Sequence, residues 1–591
     1  MGSRTTRPTA EYLLRRKEEQ RVFYADRNKK IATIRELRLN TNTVPVPAKI
    51  QASVTAAGGP YHAPHIKFTI RATQGLLGAR LPRAKRSPAD VTKDEPKRTA
   101  SRIEKWFNLG FYPLLMRRVL FQMTDSMAEG GWGVWKLRYA KNAWGEALKD
   151  ADEDDAASFN KKVEQTRRDH LPWAAEHVAT QTFYPDFEDD ELVEVFEITW
   201  RTRGALYGKY GTELKRAGVV IDENAQAGGE RIECLEHWNG AYFSLMVEDK
   251  LIKQGKFKSR RKRPPYYFAL FSPTGIHDPA LLTETISDPI IELQKRLERW
   301  LTLKDYWAEK IAFPPFKLTP LNPDDIQPED SKRVIEWEGG ETTEPPVGYA
   351  WDVMAFPGTG ADLNQMWQYL AQAIDDHSLA PVLLGKNTGR ISTATQQGQI
   401  QLAKNILSMA TDEIAAGFDE MAADVLWLID NDLHADVPVQ IKTSGEWLKI
   451  GPADIDGDYH VTHMLKPVLK MESIIDAQWL QSGLDHELLT ETYVQEHGYD
   501  IEDPEEMQDA VMVEKLVKSP QSSELIWAMV MKDLQADQEP PAPTAEELVG
   551  IQAPGMGTPE ATAGGMGGVG MPMNPGDQRP IIPTPPPAGV A

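Results

Sequence analysis

The 591-residue sequence predicts an α+β protein. Between Leu192 and Phe271 apolar residues recur at every second position, the period of strands half-buried in an antiparallel sheet. From Asp288 onward the apolar period lengthens to that of helices, first at Ile290, Leu293, Leu297, Trp300, Leu301, Trp307 and Ile311, then at Leu363, Met366, Trp367, Leu370 and Ile374. The chain is 41% hydrophobic and 26% charged, an ordinary globular composition, and it is long enough for several domains.

Composition narrows the function classes. A single cysteine, Cys234, excludes an internal disulfide framework and a Cys-based zinc cage, fits assembly in a reducing cytoplasm, and is expected on a buried strand. The polar, basic stretch from Arg4 to Lys30 lacks a signal-peptide core, and no run approaches the roughly 18 apolar residues of a membrane span. A secreted or membrane-spanning protein is therefore not expected. The net charge of -21 argues against a surface built to grip nucleic acid, because tight phosphate binding needs clustered Lys and Arg.

Along the chain, Thr9 to Leu39 reads as one surface helix with Leu13, Val22, Ile31, Ile34 and Leu37 on its apolar side. Asn42 to Ile50 is extended, and the stretch to Thr73 reads as strand and loop. Ala100 to Ala128 is helical on Ile103, Phe107, Leu115, Val119 and Met123. Trp132, Val134 and Leu137 mark a strand, and a charged helical insertion lies near Phe159 to Asp169. The antiparallel sheet follows, with a turn at Asp249-Lys250. The basic run Lys256, Lys258, Arg260, Arg261, Lys262 and Arg263 reads as a solvated hairpin loop ended by Pro264-Pro265.

The middle of the chain is the informative part. Asp288 as N-cap and Pro289 at the first helical position open a helix of about 36 Å that stops at Phe313-Pro314-Pro315. Pro314 to Phe356 is a compact excursion of prolines and short strands, including Val334 to Trp337 and Tyr349 to Val353. A second helix runs from Asp362 to about His377. Pro381, Gly385 and Gly389 keep Leu379 to Arg390 from being helical throughout. A helix of about 60 Å then spans Ser392 to Asp430, with Gly398 and Gly417 as places for a bend. Val437 to Val461 returns to strand character. Met471 to Leu534 reads as amphipathic helices, and the Pro/Gly-rich stretch beyond Asp537 as a disordered tail.

This order of elements resembles the portal proteins of tailed bacteriophages. The parts that carry the resemblance are Asp288 to Ile311, the excursion to Phe356, and Asp362 to Ile429 around Ala380–Gly385 and Gly389–Ala394. The likeness covers roughly residues 30 to 535 and rests on architecture and loose local patterns. It implies a portal fold with a mixed α/β wing (1–286), a first stem helix (287–313), a small α/β clip (314–358) and a second stem helix (359–378). A tunnel loop (379–390), a long kinked helix with C-terminal wing strands (391–470), a helical crown (471–536) and the tail (537–591) complete it.

The resemblance also implies a dodecameric ring at one capsid vertex of the virion, assembled in the host cytoplasm, through which double-stranded DNA is packaged and ejected. Its implied partners are the terminase motor, major capsid and scaffolding proteins, and neck or adaptor proteins, with no membrane and no cofactor. Twelve copies at -21 each carry roughly -250, a field that discourages DNA from sticking. The candidate DNA-facing residues are Lys386, Asn387 and Arg390 on the tunnel loop and Lys295, Arg296 and Arg299 on the stem. The loop residues either meet phosphates or simply keep an exposed loop soluble. The stem cations either meet phosphates or form intersubunit salt bridges with Glu292, Glu298 or Glu309.

Enzymatic patterns are weak. Leu384-Gly385-Lys386-Asn387 lacks the first glycine and the Ser/Thr of a phosphate loop, so an ATPase motor is not expected. Asp454, Asp456 and Asp458 around Gly457 do not match a calcium loop and read as a polar turn. His460 and His463 should point to opposite faces of a strand, which separates them as metal ligands. The alternatives are a DNA-packaging or DNA-processing enzyme with an acidic metal site among Asp186, Glu188, Asp189 and Asp190, and another capsid-vertex or neck structural protein. Those four carboxylates more simply form a solvated acidic turn.

Overall fold

The computed structural model describes residues 6–467 apart from position 57 and segments 141–155, 189–190, 220–230, 313–315, 323–333, 336–348, 354–360, 380–392 and 442–444. The expected amphipathic helices of Met471 to Leu534 and the tail lie outside the described residues. Within them the fold is α+β, as expected.

The N-terminal segment corrects the single surface helix. It forms two helices, Ala10–Phe23 and Ala25–Leu39, that part at Tyr24, and Thr9 caps the first by accepting the N–H of Tyr12 at 3.2 Å. Leu13, Ile31, Ile34 and Leu37 are fully buried, whereas Val22 is exposed. Some of the basic residues are docked rather than solvated: Lys17 Nζ lies 3.0 Å from Glu233 and 2.9 Å from Asp249, and Arg16 lies 2.5 Å from Asp186, while Arg15 and Lys29 stay exposed. Downstream, the expected strand and loop to Thr73 are instead two helices, Ala48–Ala56 and His65–Gly78. Tertiary packing overrides their β-branched content, since both lie against the Ile291–Ala312 helix.

The expected antiparallel sheet is present but divided. Phe183–Glu188, Glu191–Thr202, Arg231–Trp238, Tyr242–Val247 and Lys250–Lys256 form a five-stranded meander, with Arg203–Arg216 as a helix the alternating pattern did not reveal. Glu248 and Asp249, with φ of 49° and 61°, make the tight turn one residue earlier than expected. Tyr266–Leu270 leaves this sheet and pairs instead with Trp132–Tyr139, whose other neighbour is Trp173–Val178.

The period of two sorts the meander's faces. Phe196, Ile198, Leu235 and Met246 pack on Leu13 and Tyr24 of the N-terminal helices. Val195 packs with Trp132, Val134 and Tyr266 of the three-stranded sheet. On that inner face Glu197 lies opposite Glu236 in register, a like-charge pair that Lys136 bridges at 2.5 and 2.9 Å. Cys234 is buried on the meander, as expected.

The main core joins Asp94–Lys105, the following turns and Arg117–Gly130 to the long helix Thr393–Leu428. A π-helical turn, Trp106–Phe111, breaks the expected Ala100–Ala128 helix and stacks Trp106 on Phe111 with centroids 4.9 Å apart. Gly417 of the long helix faces Trp135. A Cβ there would lie 2.4 Å from the Trp135 ring, so glycine lets helix and sheet approach.

The basic run is also corrected: it is docked rather than solvated. Arg260 lies 3.1 Å from Asp424, Arg263 lies 2.6 Å from Glu420, and Lys258 lies 2.5 Å from Asp432. Lys256, Lys258, Arg261 and Lys262 keep exposed side chains, so it is chiefly Arg260 and Arg263 that are drawn down onto the long helix. Beyond the long helix, Val437–Gln440 pairs with Trp447–Ile450, Pro452–Ile455 is a single helical turn, and Thr462–Met464 pairs with Arg83–Lys85.

Candidate functional site

The two helices singled out by their apolar stripes are Ile291–Ala312 and Ala361–His377, and they pack against each other. Their bases share one core in which Ile290, Leu297, Leu370 and Ile374 are buried with Ile34, Leu37, Ile66 and Ile70. Between them Phe316–Pro320 is the central strand of a three-stranded antiparallel sheet, flanked by Val334–Ile335 and Tyr349–Val353. A pair of rods thus brackets a small separate sheet.

Asp288 does not cap the first helix. A 3-10 turn, Asp288–Ile290, precedes it, and the Asp288 carboxylate turns back to accept the N–H of Thr285 at 2.7 Å and to meet Lys30 Nζ at 2.6 Å. What fixes the helix is a buried polar row that the apolar stripe concealed: Gln294, Glu298 and Thr302, spaced four apart on one face. Gln294 accepts the Ile66 N–H at 2.9 Å and donates to the Ala63 carbonyl at 2.6 Å. Glu298 accepts from Ala63 N at 3.1 Å, Asn42 Nδ2 at 2.7 Å and Gln294 Nε2 at 2.9 Å. Thr302 accepts the Tyr61 N–H at 2.9 Å. The row satisfies backbone donors of a segment that has no sheet partner there, which water would otherwise have to do.

Glu298 is therefore committed inside its own chain and is not a partner for the stem cations. Lys295 pairs with Glu292 one turn earlier at 2.8 Å, both on the outward face. Arg296 and Arg299 are exposed on that face, and among the described residues neither has an ion-pair partner. The side chain of Glu309 lies outside the described residues. On the second helix the exposed positions Gln365, Gln368 and Gln372 are uncharged, Tyr369 is 69% exposed, and Lys304 of the first helix lies over the Trp367 ring at 5.3 Å. The outward surface of the pair carries two free guanidinium groups beside a neutral amide stripe.

Lys386, Asn387 and Arg390 lie outside the described residues. Immediately before that segment, Ser378 and Leu379 are buried, Leu379 in the main core.

The enzymatic candidates disperse. Asp454 is tied to the N–H of Gly451 at 3.0 Å and to Arg102 at 2.6 Å, Asp458 lies 3.3 Å from Arg86, and Asp456 is exposed in a left-handed conformation, φ 48°. His460 is exposed, while His463 is buried between Tyr112 Oη at 2.6 Å and Asp419 at 2.7 Å. Burial lowers the pKa of His463 against the pull of Asp419. Asp186 is held by Arg16 and Glu188 ends its strand, while Asp189 and Asp190 lie outside the described residues. Among the described residues no group of three or more His, Cys, Asp or Glu side chains is placed to hold a metal ion. No described helix is long and apolar enough to cross a membrane.

No family model matches the sequence, and no curated protein does. Among solved structures, the chain has a likeness to a component of the neck of an empty GTA particle, computed with C6 symmetry. The identity is 9%, the match covers 77% of this chain and 94% of that one, and the TM-score is 0.37.

Proposed function

We propose that the chain is a structural subunit of a phage-type capsid vertex or neck and, within that class, the portal: a ring of about twelve copies whose paired helices line a channel for double-stranded DNA. One observation carries the reading. The Ile291–Ala312 and Ala361–His377 helices share a buried base, pack against each other and flank a separate three-stranded sheet along the chain, the order of a stem and clip.

Electrostatics supports it. At -21 per chain the assembly repels phosphate, while Arg296 and Arg299 offer isolated, sequence-independent contacts beside the neutral Gln365, Gln368 and Gln372 of the second helix, whose exposed Asp376 lies at its C-terminal end. A moving polymer needs that combination, because adhesion along the whole wall would stall it. The clip sheet is then the docking element for the terminase motor and, later, for neck or adaptor proteins, and the subunit itself catalyses nothing.

Mass measurement of the purified full chain tests this reading. A subunit of 66.3 kDa predicts an assembly near 800 kDa, about twelve copies, without ATP hydrolysis. A monomer at every concentration, or a robust ATPase rate, contradicts it.

A further inference from the structure

Arg27 is an anomaly of charge. It is 2% exposed, on the second N-terminal helix, and its guanidinium is enclosed by aromatic rings, 4.2 Å from the centroid of Tyr24 and 5.7 Å from those of Trp132 and Tyr184. Its Nη2 donates to the Phe183 carbonyl at 2.8 Å. Among the described residues no carboxylate lies within ion-pair reach of it. Three other cations of the same helix are matched: Lys30 to Asp288 at 2.6 Å, Arg35 to Glu129 at 2.6 Å and Arg38 to Asp125 at 2.8 Å. One positive charge is left over in the interior, where an unpaired ion is costly.

Beside it lies a cavity of about 10 Å³, room for one small occupant. Arg27 and Trp132 both line it, and each carries a buried donor without a partner, Nη1 and Nε1. Lys30, Thr283 and Thr285 close the wall, Thr285 with a buried hydroxyl that is also unpartnered. Glu129, the one acid in the wall, is taken up by Arg35 and Arg38. The unmet groups are thus a cation, an indole N–H and a hydroxyl, all able to donate.

We propose that this cavity is a binding site for a single halide ion, chloride in ordinary solution, held by Arg27 Nη1 and Trp132 Nε1. Chloride accepts from all the unmet donors and cancels the surplus charge, whereas water would have to find acceptors for its own two hydrogens. The ion ties the Ala25–Leu39 helix and the start of the Trp132–Tyr139 strand to the loop through Thr283 and Thr285, immediately before the foot of the Ile291–Ala312 helix. The site is complete within one chain and is independent of any ring.

Crystals of the full chain grown in bromide test it by anomalous scattering. The expected result is a bromide peak at hydrogen-bonding distance from Arg27 Nη1, and a water with no anomalous signal overturns the proposal. In solution, at constant ionic strength with gluconate as the balancing anion, the unfolding midpoint should rise by about 1–2 °C per tenfold increase in chloride above the dissociation constant. Equal midpoints in the two salts count against the site. Arg27→Met should abolish both the peak and the chloride response. Should that variant fail to fold, Trp132→Phe, which removes one donor and keeps the ring, should weaken the response, and an undiminished response rejects the assignment.

Discussion

Lys136 has no exposed side-chain surface, yet it sits between Glu197 and Glu236, with Arg138 and Arg201 both 2.9 Å from the second of these. Burial pushes the Glu236 carboxyl up, but Lys136, Arg138 and Arg201 outweigh it and hold its pKa at about 2, against an ordinary 4.5. A carboxyl held low stabilises the fold fully above its unfolded-state value, and that stability fades as pH falls from about 5 towards 2. Glu236→Gln should therefore cost about 3 kcal/mol at neutral pH and make the acid limb of unfolding, followed by circular dichroism, shallower. An unaltered acid limb would show that Glu236 does not govern it. The strand around Lys136 was legible from Trp132, Val134 and Leu137, but the lysine's burial was not. Period-two reading sends a charged residue to solvent, and its partners lie 61 and 100 residues further along the chain.

At the scale of elements, the first rod is held by its polar row as much as by its apolar stripe. Glu298→Leu strands the Ala63 N–H and the Asn42 amide, so it should destabilise the chain by about 3 kcal/mol in denaturant titration, although leucine is the better match to an apolar face. The outward face should behave oppositely. Arg296→Glu with Arg299→Glu should shift stability by less than about 0.5 kcal/mol and still reduce DNA packaging; normal packaging would remove the channel role of these arginines. Gly417→Ala should cost about 1–3 kcal/mol, because its methyl meets Trp135, where a mere hinge glycine would gain from the same change. The two rods and two of the three intervening strands were readable because their periodicity is strong and proline marks their ends. The helices Ala48–Ala56, His65–Gly78 and Arg203–Arg216 were not. The last contains three glycines and a non-helical Tyr210, φ -134°, so its own propensity is poor and packing sustains it. The docked basic loop escaped notice for a related reason: Glu420, Asp424 and Asp432 lie more than 150 residues away, and charge runs alone carry no sign of a distant complement.

The described residues comprise two packed sheets, a helical core and a pair of rods that flank a small sheet along the chain, and the proposed ring follows from repeating the rods about an axis. Among the described residues the fully buried side chains of the paired helices lie at their base, while Trp307, Met366 and Tyr369 are 36%, 40% and 69% exposed, surface that a neighbouring copy would cover. Lys386→Ala with Arg390→Ala should leave such an assembly intact and impair packaging, which separates a role in moving DNA from a role in building the ring. The most direct test of the central claim is electron microscopy of the purified full chain. End-on views should show a closed ring with a central hole wide enough for duplex DNA, about 20 Å or more across. Compact particles of one chain, or assemblies without a central opening, would contradict it.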